Sequence, residues 1–403
     1  MKFFLSLILV MSSSMVYSQV EGEVSGNLEA QGRYSNNNEE AKEDLQQNWD
    51  QENFYLFYGN LNGKLEFKGS RIESNVFGRF SQSELYQSPT GEPYLAPSIF
   101  TYPNTLVARD VFKLSHRRES QNSLSEAVIN KLYYEWDYEE HRFMMGRMYI
   151  NYGVGEIFNP INPFNQPTGL TNIAQVAQGN DGFNVTFFIN DKYTVDFYLL
   201  GDKRINDYDG KIERTLWAHG EYQASDKLQL DYVIGEDQRR QKAGGQVRYN
   251  FEQAMVFFQG LYRSAFVDKE PSHNLLDLML GYDQQVTNKW HVRMESGYQK
   301  KNRFAFTSAS SVLEASERFL PTEYFVALAN IYEIHPLVKL SATAINDIKS
   351  GFTYFIGRST FSLASNTEAE IFGYVPISKG DEADNIAQKL VTTDIGLALR
   401  TFF

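Results

Sequence analysis

From Val20 to Tyr34 the even positions read Val, Gly, Val, Gly, Leu, Ala, Gly, Tyr. The odd positions Glu21, Glu23, Ser25, Asn27, Glu29, Gln31 and Arg33 are all polar. A period of two predicts a strand with one apolar face and one face toward water. After a polar, acidic stretch at 35–51 the same beat returns. Tyr55, Phe57, Gly59, Leu61, Gly63, Leu65 and Phe67 share one face, opposite Asn60, Asn62, Lys64 and Glu66. Lys68-Gly69-Ser70 predicts a tight turn. A third strand follows, with Ile72, Val76, Gly78 and Phe80 against Glu73, Asn75 and Arg79.

The rhythm of short turn, strand, long polar connection and strand continues to the end. Short turns are predicted at Glu139-Glu140, Asp191-Lys192, Ala224 to Asp226, Asn250 to Glu252, Gln284 to Asn288 and Glu333 to Pro336. Longer connections are predicted at 82–124, 154–181, 201–211, 236–241, 264–272, 299–320 and 373–388. Such alternation belongs to a transmembrane, antiparallel, up-and-down β-barrel with short periplasmic turns and long extracellular loops; a soluble β-sandwich gives no reason for it. The strand number depends on how 107–138 and 350–372 divide, giving about 18 strands, or about 16 as the even-numbered fallback. Aromatic residues collect at strand ends. Tyr138, Tyr193, Tyr222, Tyr249, Tyr282, Trp290, Tyr332 and Phe403 would ring the short-turn end, and Tyr34, Tyr55, Tyr232, Tyr262, Tyr298 and Tyr324 the other.

The last stretch, Leu390 to Phe403, puts Ile395, Leu397, Leu399 and Phe403 on one side and Asp394, Gly396, Ala398 and Arg400 on the other. It resembles the terminal strand of bacterial outer-membrane β-barrels, although Thr401 departs from their usual apolar third-from-last residue. The resemblance implies recognition by the barrel-assembly machinery through the strand ending at Phe403, and pairing of that strand with the first.

Composition narrows the class. Residues 1–18 read as a signal peptide, with Lys2, an apolar run at Phe3–Met11 and the small-residue site Val16-Tyr17-Ser18; the run is far below the roughly 20 residues of a spanning helix. Residues 19–403 then form one domain, the barrel. The net charge of −12 without a basic cluster argues against nucleic acid. Zero cysteines exclude disulfides and thiolate metal sites. The chain is hydrophilic on average yet 15% aromatic. A barrel explains both, through its polar lumen and aromatic girdles.

Chemistry concentrates at Gly146-Arg147-Met148-Tyr149-Ile150-Asn151-Tyr152-Gly153 and Asn159-Pro160-Ile161-Asn162-Pro163-Phe164-Asn165. These residues resemble a largely uncharacterised family of porin-like Gram-negative outer-membrane proteins with a Gly-Arg-Gln-x-Ile-x-Trp-Gly motif followed by Asn-Pro-x-x-x-Phe-Asn. Met148, Tyr152 and Asn162 depart from the family pattern, which has Gln and Trp at the first two places and commonly Asp at the third. The resemblance implies a porin-like barrel and no particular solute.

The connection 154–181 also carries Ile157, Phe158, Ile161, Phe164, Leu170, Ile173 and Val176, so it needs something to pack on. One expectation is that it folds inward and narrows the pore, with Arg147 and Glu156 near the constriction. The other is a lid packed on neighbouring outer loops. Candidate pore-lining residues are Arg147, Glu156, Asn159, Asn162, Asn165, Arg79, Glu135, Arg293 and Glu295. Strand parity assigns more acid than base to the lumen, which favours cations weakly.

The six histidines form no ligand pair at helical or alternate-strand spacing, so neither an enzyme nor a metal or other cofactor is expected. The sequence therefore reads as an outer-membrane channel for passive diffusion of small hydrophilic solutes. Alternatives are a surface-exposed structural or adhesive barrel with a closed lumen, and a substrate-specific porin or exporter. Outer-membrane lipid is an expected partner, and a homotrimer is one arrangement open to the chain.

Overall fold

The computed structural model describes residues 21–36, 51–67, 69–83, 115–119, 123–162, 164, 179–203, 212–237, 240–264, 274–299, 323–349, 351, 353–377 and 393–403. The predicted signal peptide, 1–18, and Asn165 lie outside them.

Period-two alternation produces strands from one end of the chain to the other. They are β1 (Glu21–Asn36), β2 (Gln51–Phe67), β3 (Ser70–Ser83), β4 (Ser115–Glu119), β5 (Ser123–Tyr138), β6 (His141–Met148), β7 (Asn180–Asn190), β8 (Tyr193–Lys203), β9 (Ile212–Gln223) and β10 (Leu228–Asp237). Then come β11 (Arg240–Asn250), β12 (Ala254–Arg263), β13 (Leu275–Thr287), β14 (Trp290–Gln299), β15 (Tyr324–His335), β16 (Val338–Asp347), β17 (Thr353–Ala364), β18 (Thr367–Ile377) and β19 (Thr393–Phe402). All pair antiparallel in one sheet, and β19 returns to β1, so the sheet closes.

Eighteen of these strands are the staves of the wall; β4 is a patch. β5 pairs with β6 only from Leu132 to Tyr138, because β6 leaves the wall after Met148. Over Leu124–Val128 the same edge of β5 is covered by β4. Within 107–138, the described residues thus divide into the patch β4 and the stave β5.

Parity sets the two faces. Val24, Leu28, Phe57, Ile395, Leu397 and Phe403 point outward and are exposed, whereas Glu29, Gln31, Leu56 and Tyr58 point inward and are buried. A closed barrel with this apolar exterior is a lipid-facing wall. The girdles follow in outline: Tyr193 packs edge-on against Tyr222 near the short turns, and Tyr298 lies 4.8 Å from Tyr324 near the other end. Tyr232 corrects the expectation. Its hydroxyl bonds that of Tyr193, so it serves the short-turn girdle.

Several connections depart from the expected rhythm, among them the one between β16 and β17, which no expected turn or loop covers. β10 and β11 pair to Asp237↔Arg240, so the loop anticipated at 236–241 is only the two residues between them. Polar residues prolong this hairpin, Glu236 pairing with Gln241 and Asp237 with Arg240. The turn at Ser365-Asn366, between β17 and β18, was not anticipated, because no glycine or proline marks it.

The closing ladder pairs Asn27–Asn36 of β1 with Thr393–Phe402 of β19, and Gly26 and Phe403 extend it. Gly26 N–H donates to the Phe403 carbonyl at 2.8 Å, and Phe403 N–H donates back at 3.0 Å. A Cβ on Gly26 would stand 2.5 Å from the Asn60 carbonyl oxygen and 2.7 Å from the Phe403 ring. Gly32, on the same face, has nothing within 4 Å of such a Cβ. Gly26→Val is therefore expected to cost about 1–3 kcal/mol by overpacking, and Gly32→Val far less. The folded, heat-modifiable band on unheated gels reads the difference; equal loss in both variants would refute it.

Candidate functional site

The site begins where β6 stops. Gly146, two residues before the strand ends, has φ 132°, and a Cβ there would run into the Leu132 carbonyl, so the backbone there calls for glycine. The next residue, Arg147, is closed off, at 2% exposure. Its Nε and Nη2 donate to the two carboxylate oxygens of Asp181 on β7 at 2.6 and 2.7 Å, and Nη1 donates to the Ile129 carbonyl at 3.0 Å. Sequence reasoning expected this arginine near the constriction. The structure makes it a fastener at the root of the loop.

The chain then runs through the interior. Tyr152 stacks on the His219 ring of β9, with centroids 4.5 Å apart and planes at 5°. Phe164 meets Trp217, also on β9, edge to face at 5.4 Å. Met148, Ile150 and Ile161 complete this first apolar contact, against Tyr133, Leu200, Val233 and Leu261 of the wall.

The far contact lies on β14, eight staves along the wall from β6. Three consecutive loop N–H groups donate to the Glu295 carboxylate: Glu156 to Oε1 at 2.8 Å, and Ile157 and Phe158 to Oε2 at 3.0 and 2.9 Å. Arg293 braces the clasp. Its Nε bonds Glu295 at 2.8 Å, its Nη1 reaches Asp283 and the loop's Glu156 at 2.8 Å each, and Nη2 donates to the Val154 carbonyl. Asp283 also bonds His291 at 2.7 Å, and Gln246 on β11 accepts from Val154 N–H at 3.1 Å. Beside the clasp, Ile157 and Phe158 enter an apolar cradle that includes Phe257, Met279, Phe325, Ile345 and Ile356. The segment thus reaches from one side of the wall to nearly the opposite side. The described part of 154–181 bonds side chains of β11 and β14.

The two buried asparagines shape the loop itself. Asn159 Nδ2 donates to the Tyr152 carbonyl at 2.8 Å, and Asn162 Nδ2 to Asn151 Oδ1 at 2.9 Å. Glu156 is different, its side chain 60% exposed at the loop's tip. Glu135, on the near wall, takes Arg71 at 2.8 Å and Arg142 at 3.3 Å. Arg79 is buried on β3, opposite Tyr58 of β2. Arg147 thus fastens the root of the loop, Asn159 and Asn162 brace it from within, and the other described candidates fall into two groups. Glu156, Arg293 and Glu295 meet at the clasp, while Arg79 and Glu135 belong to the wall of β3 and β5.

The apolar cradle was not anticipated, since a polar lumen was expected throughout. Its signal is the loss of alternation in Val256-Phe257-Phe258 and Tyr354-Phe355-Ile356, where both faces of the strand are apolar. A strand apolar on both faces has both faces covered.

A closed, 18-stranded antiparallel barrel is a fold with solved members. OccAB1 of Acinetobacter baumannii superimposes with a TM-score of 0.60 at 10% identity, covering 95% of this chain and 96% of that one. OccK8 (OprE) of Pseudomonas aeruginosa gives 0.59 at 8%, covering 95% and 98%. OccAB4 of Acinetobacter baumannii gives 0.58 at 9%, covering 96% and 99%. These are outer-membrane porins, and what the chain shares with them is the 18-stranded fold. No protein-family model and no curated protein matches the chain. The Gly146–Gly153 and Asn159–Asn165 resemblance is therefore carried by those residues alone.

Proposed function

We propose that the chain is an outer-membrane porin of a Gram-negative bacterium, a channel for passive diffusion of small hydrophilic solutes whose lumen the crossing segment narrows. Residues 1–18 direct export, and the assembly machinery reads the terminal strand at Phe403. Outer-membrane lipid surrounds the barrel. The carrying observation is the three-fold bond from Glu156, Ile157 and Phe158 N–H to Glu295, across the interior. An outer lid has no use for a partner there. The porin fold of the similar structures supports the same reading. Charge and width beside Glu156 and Arg293 then decide what passes.

The test is single-channel recording in planar bilayers. The full chain is expected to give discrete steps in potassium chloride, and deletion of 157–162 larger ones. A barrel closed by its loops, the structural or adhesive alternative, gives no steps until the segment is removed. Equal steps before and after deletion would refute the narrowing.

A further inference from the structure

Toward the short-turn end, the inner wall of β1, β2 and β3 carries a patch of amides. Asn27 faces Asn60 across one rung of the sheet, and Asn62 faces Asn75 across another. Asn75 is buried, and its Nδ2 donates to the side-chain oxygens of both Asn60 and Asn62. Tyr149, at the start of the crossing segment, fixes Asn75 in turn, its hydroxyl donating to Oδ1 at 3.3 Å. With their oxygens tied to Asn75, Asn60 and Asn62 have their Nδ2 groups left over, and no described residue accepts from them. Asn62 is exposed, and Asn27 and Asn60 are half-buried, so the patch stands open to the lumen. On the other side of Asn27, paired with it across the closing ladder, is Phe402. Its neighbour Phe403 points outward, so Phe402 faces inward, and its ring is uncovered, at 40% exposure.

We propose that Phe402, Asn27, Asn60 and Asn62 form a subsite for neutral, ring-shaped polyols such as monosaccharides. This rests on the channel reading above and names the solute class for it. Phe402 and Asn60 stand two strand spacings apart, about 10 Å, with Asn27 between them. A pyranose laid with its C–H face on the Phe402 ring brings hydroxyls to the amides on the far side of that gap. Each hydroxyl can accept from an Nδ2 group that Asn75 already holds in place, and donate to the Asn27 oxygen. Ordering these side chains therefore costs the solute little. Charge points the same way. The nearby cations Lys64, Lys131 and Arg400 have carboxylate partners in Glu66, Glu73 and Glu29, and the patch itself is made of uncharged groups.

The experiment uses the full chain in planar bilayers, with D-glucose as probe and sorbitol, an open-chain polyol of similar size, as comparison. Wild type is expected to conduct potassium chloride in steps. Glucose should reduce the current saturably, and sorbitol only in proportion to its concentration. Effects in variants are measured against each variant's own salt current, which only assembled barrels carry. Asn62→Ala should raise the half-saturating glucose concentration about fivefold, the loss of roughly one neutral hydrogen bond. Phe402→Ala should make glucose behave as sorbitol does. Glucose reduction that is linear in wild type, matched by sorbitol, or unchanged in either variant overturns the subsite while the channel stands. Absence of salt steps in wild type overturns the channel and the subsite together.

Discussion

Replacing Glu295 by alanine is expected to release the crossing segment from the far wall. The substitution orphans three backbone N–H groups at Glu156, Ile157 and Phe158 and removes one carboxylate partner of Arg293. Breaking a buried charge cluster by deleting one partner costs about 3–5 kcal/mol. That shifts the ratio of docked to undocked loop by roughly two to four orders of magnitude. Insertion of Phe158 against Phe325, ring to ring at 5.8 Å, still holds the tip in part, so the expected phenotype is flicker. Single-channel records of Glu295→Ala should show larger, noisier steps than wild type. Chymotrypsin added to the folded protein should cut the chain near Phe158. Glu295→Gln keeps one acceptor oxygen but presents an amide to the N–H groups, so it should fall between the two. Wild-type conductance together with protease resistance in Glu295→Ala would show that the clasp does not position the loop.

The sheet was legible because its information is local. In β1, β2 and β19 a two-residue alternation says which side faces lipid, and the inward burial of Glu29 and Gln31 against the exposed Val24 and Leu28 repeats it. The count of 18 staves followed from the same beat. The turn at Ser365-Asn366 escaped, and Tyr232 was placed by its position in sequence, although its side chain leans two residues along the wall to reach Tyr193.

The site was legible in part. An apolar content too high for an outer loop signalled that 154–181 must pack on something. Where it packs depends on which strands stand opposite β6 around a closed wall; the lost alternation at Val256–Phe258 and Tyr354–Ile356 marks covered strands but not what covers them. Asn159 and Asn162 show the same limit. Amides in a loop read as water-facing until the fold supplies carbonyl and amide partners seven and eleven residues away.

Arg147 gives the sharpest contrast with Glu295, and a prediction of comparable size. β5 is covered on its β6 side by β4 up to Val128 and by β6 from Leu132 onward. Between them, among the described residues, no strand pairs with that edge. The Arg147 guanidinium reaches this gap and donates to the Ile129 carbonyl while holding Asp181 with its other two nitrogens. One side chain thus closes the wall where the strand was given up to form the loop. Arg147→Ala leaves Asp181, 1% exposed, without its arginine. The expected cost is again about 3–5 kcal/mol, but it falls on the barrel and not on the pore. The folded fraction and the unfolding midpoint should drop, while those barrels that do assemble conduct as wild type. Arg147→Lys keeps the charge and loses the two-pronged geometry, so it should recover only part of the loss. If Arg147→Ala instead folded normally and changed conductance, the residue would belong to the constriction after all, and the gap beside Ile129 would need another seal.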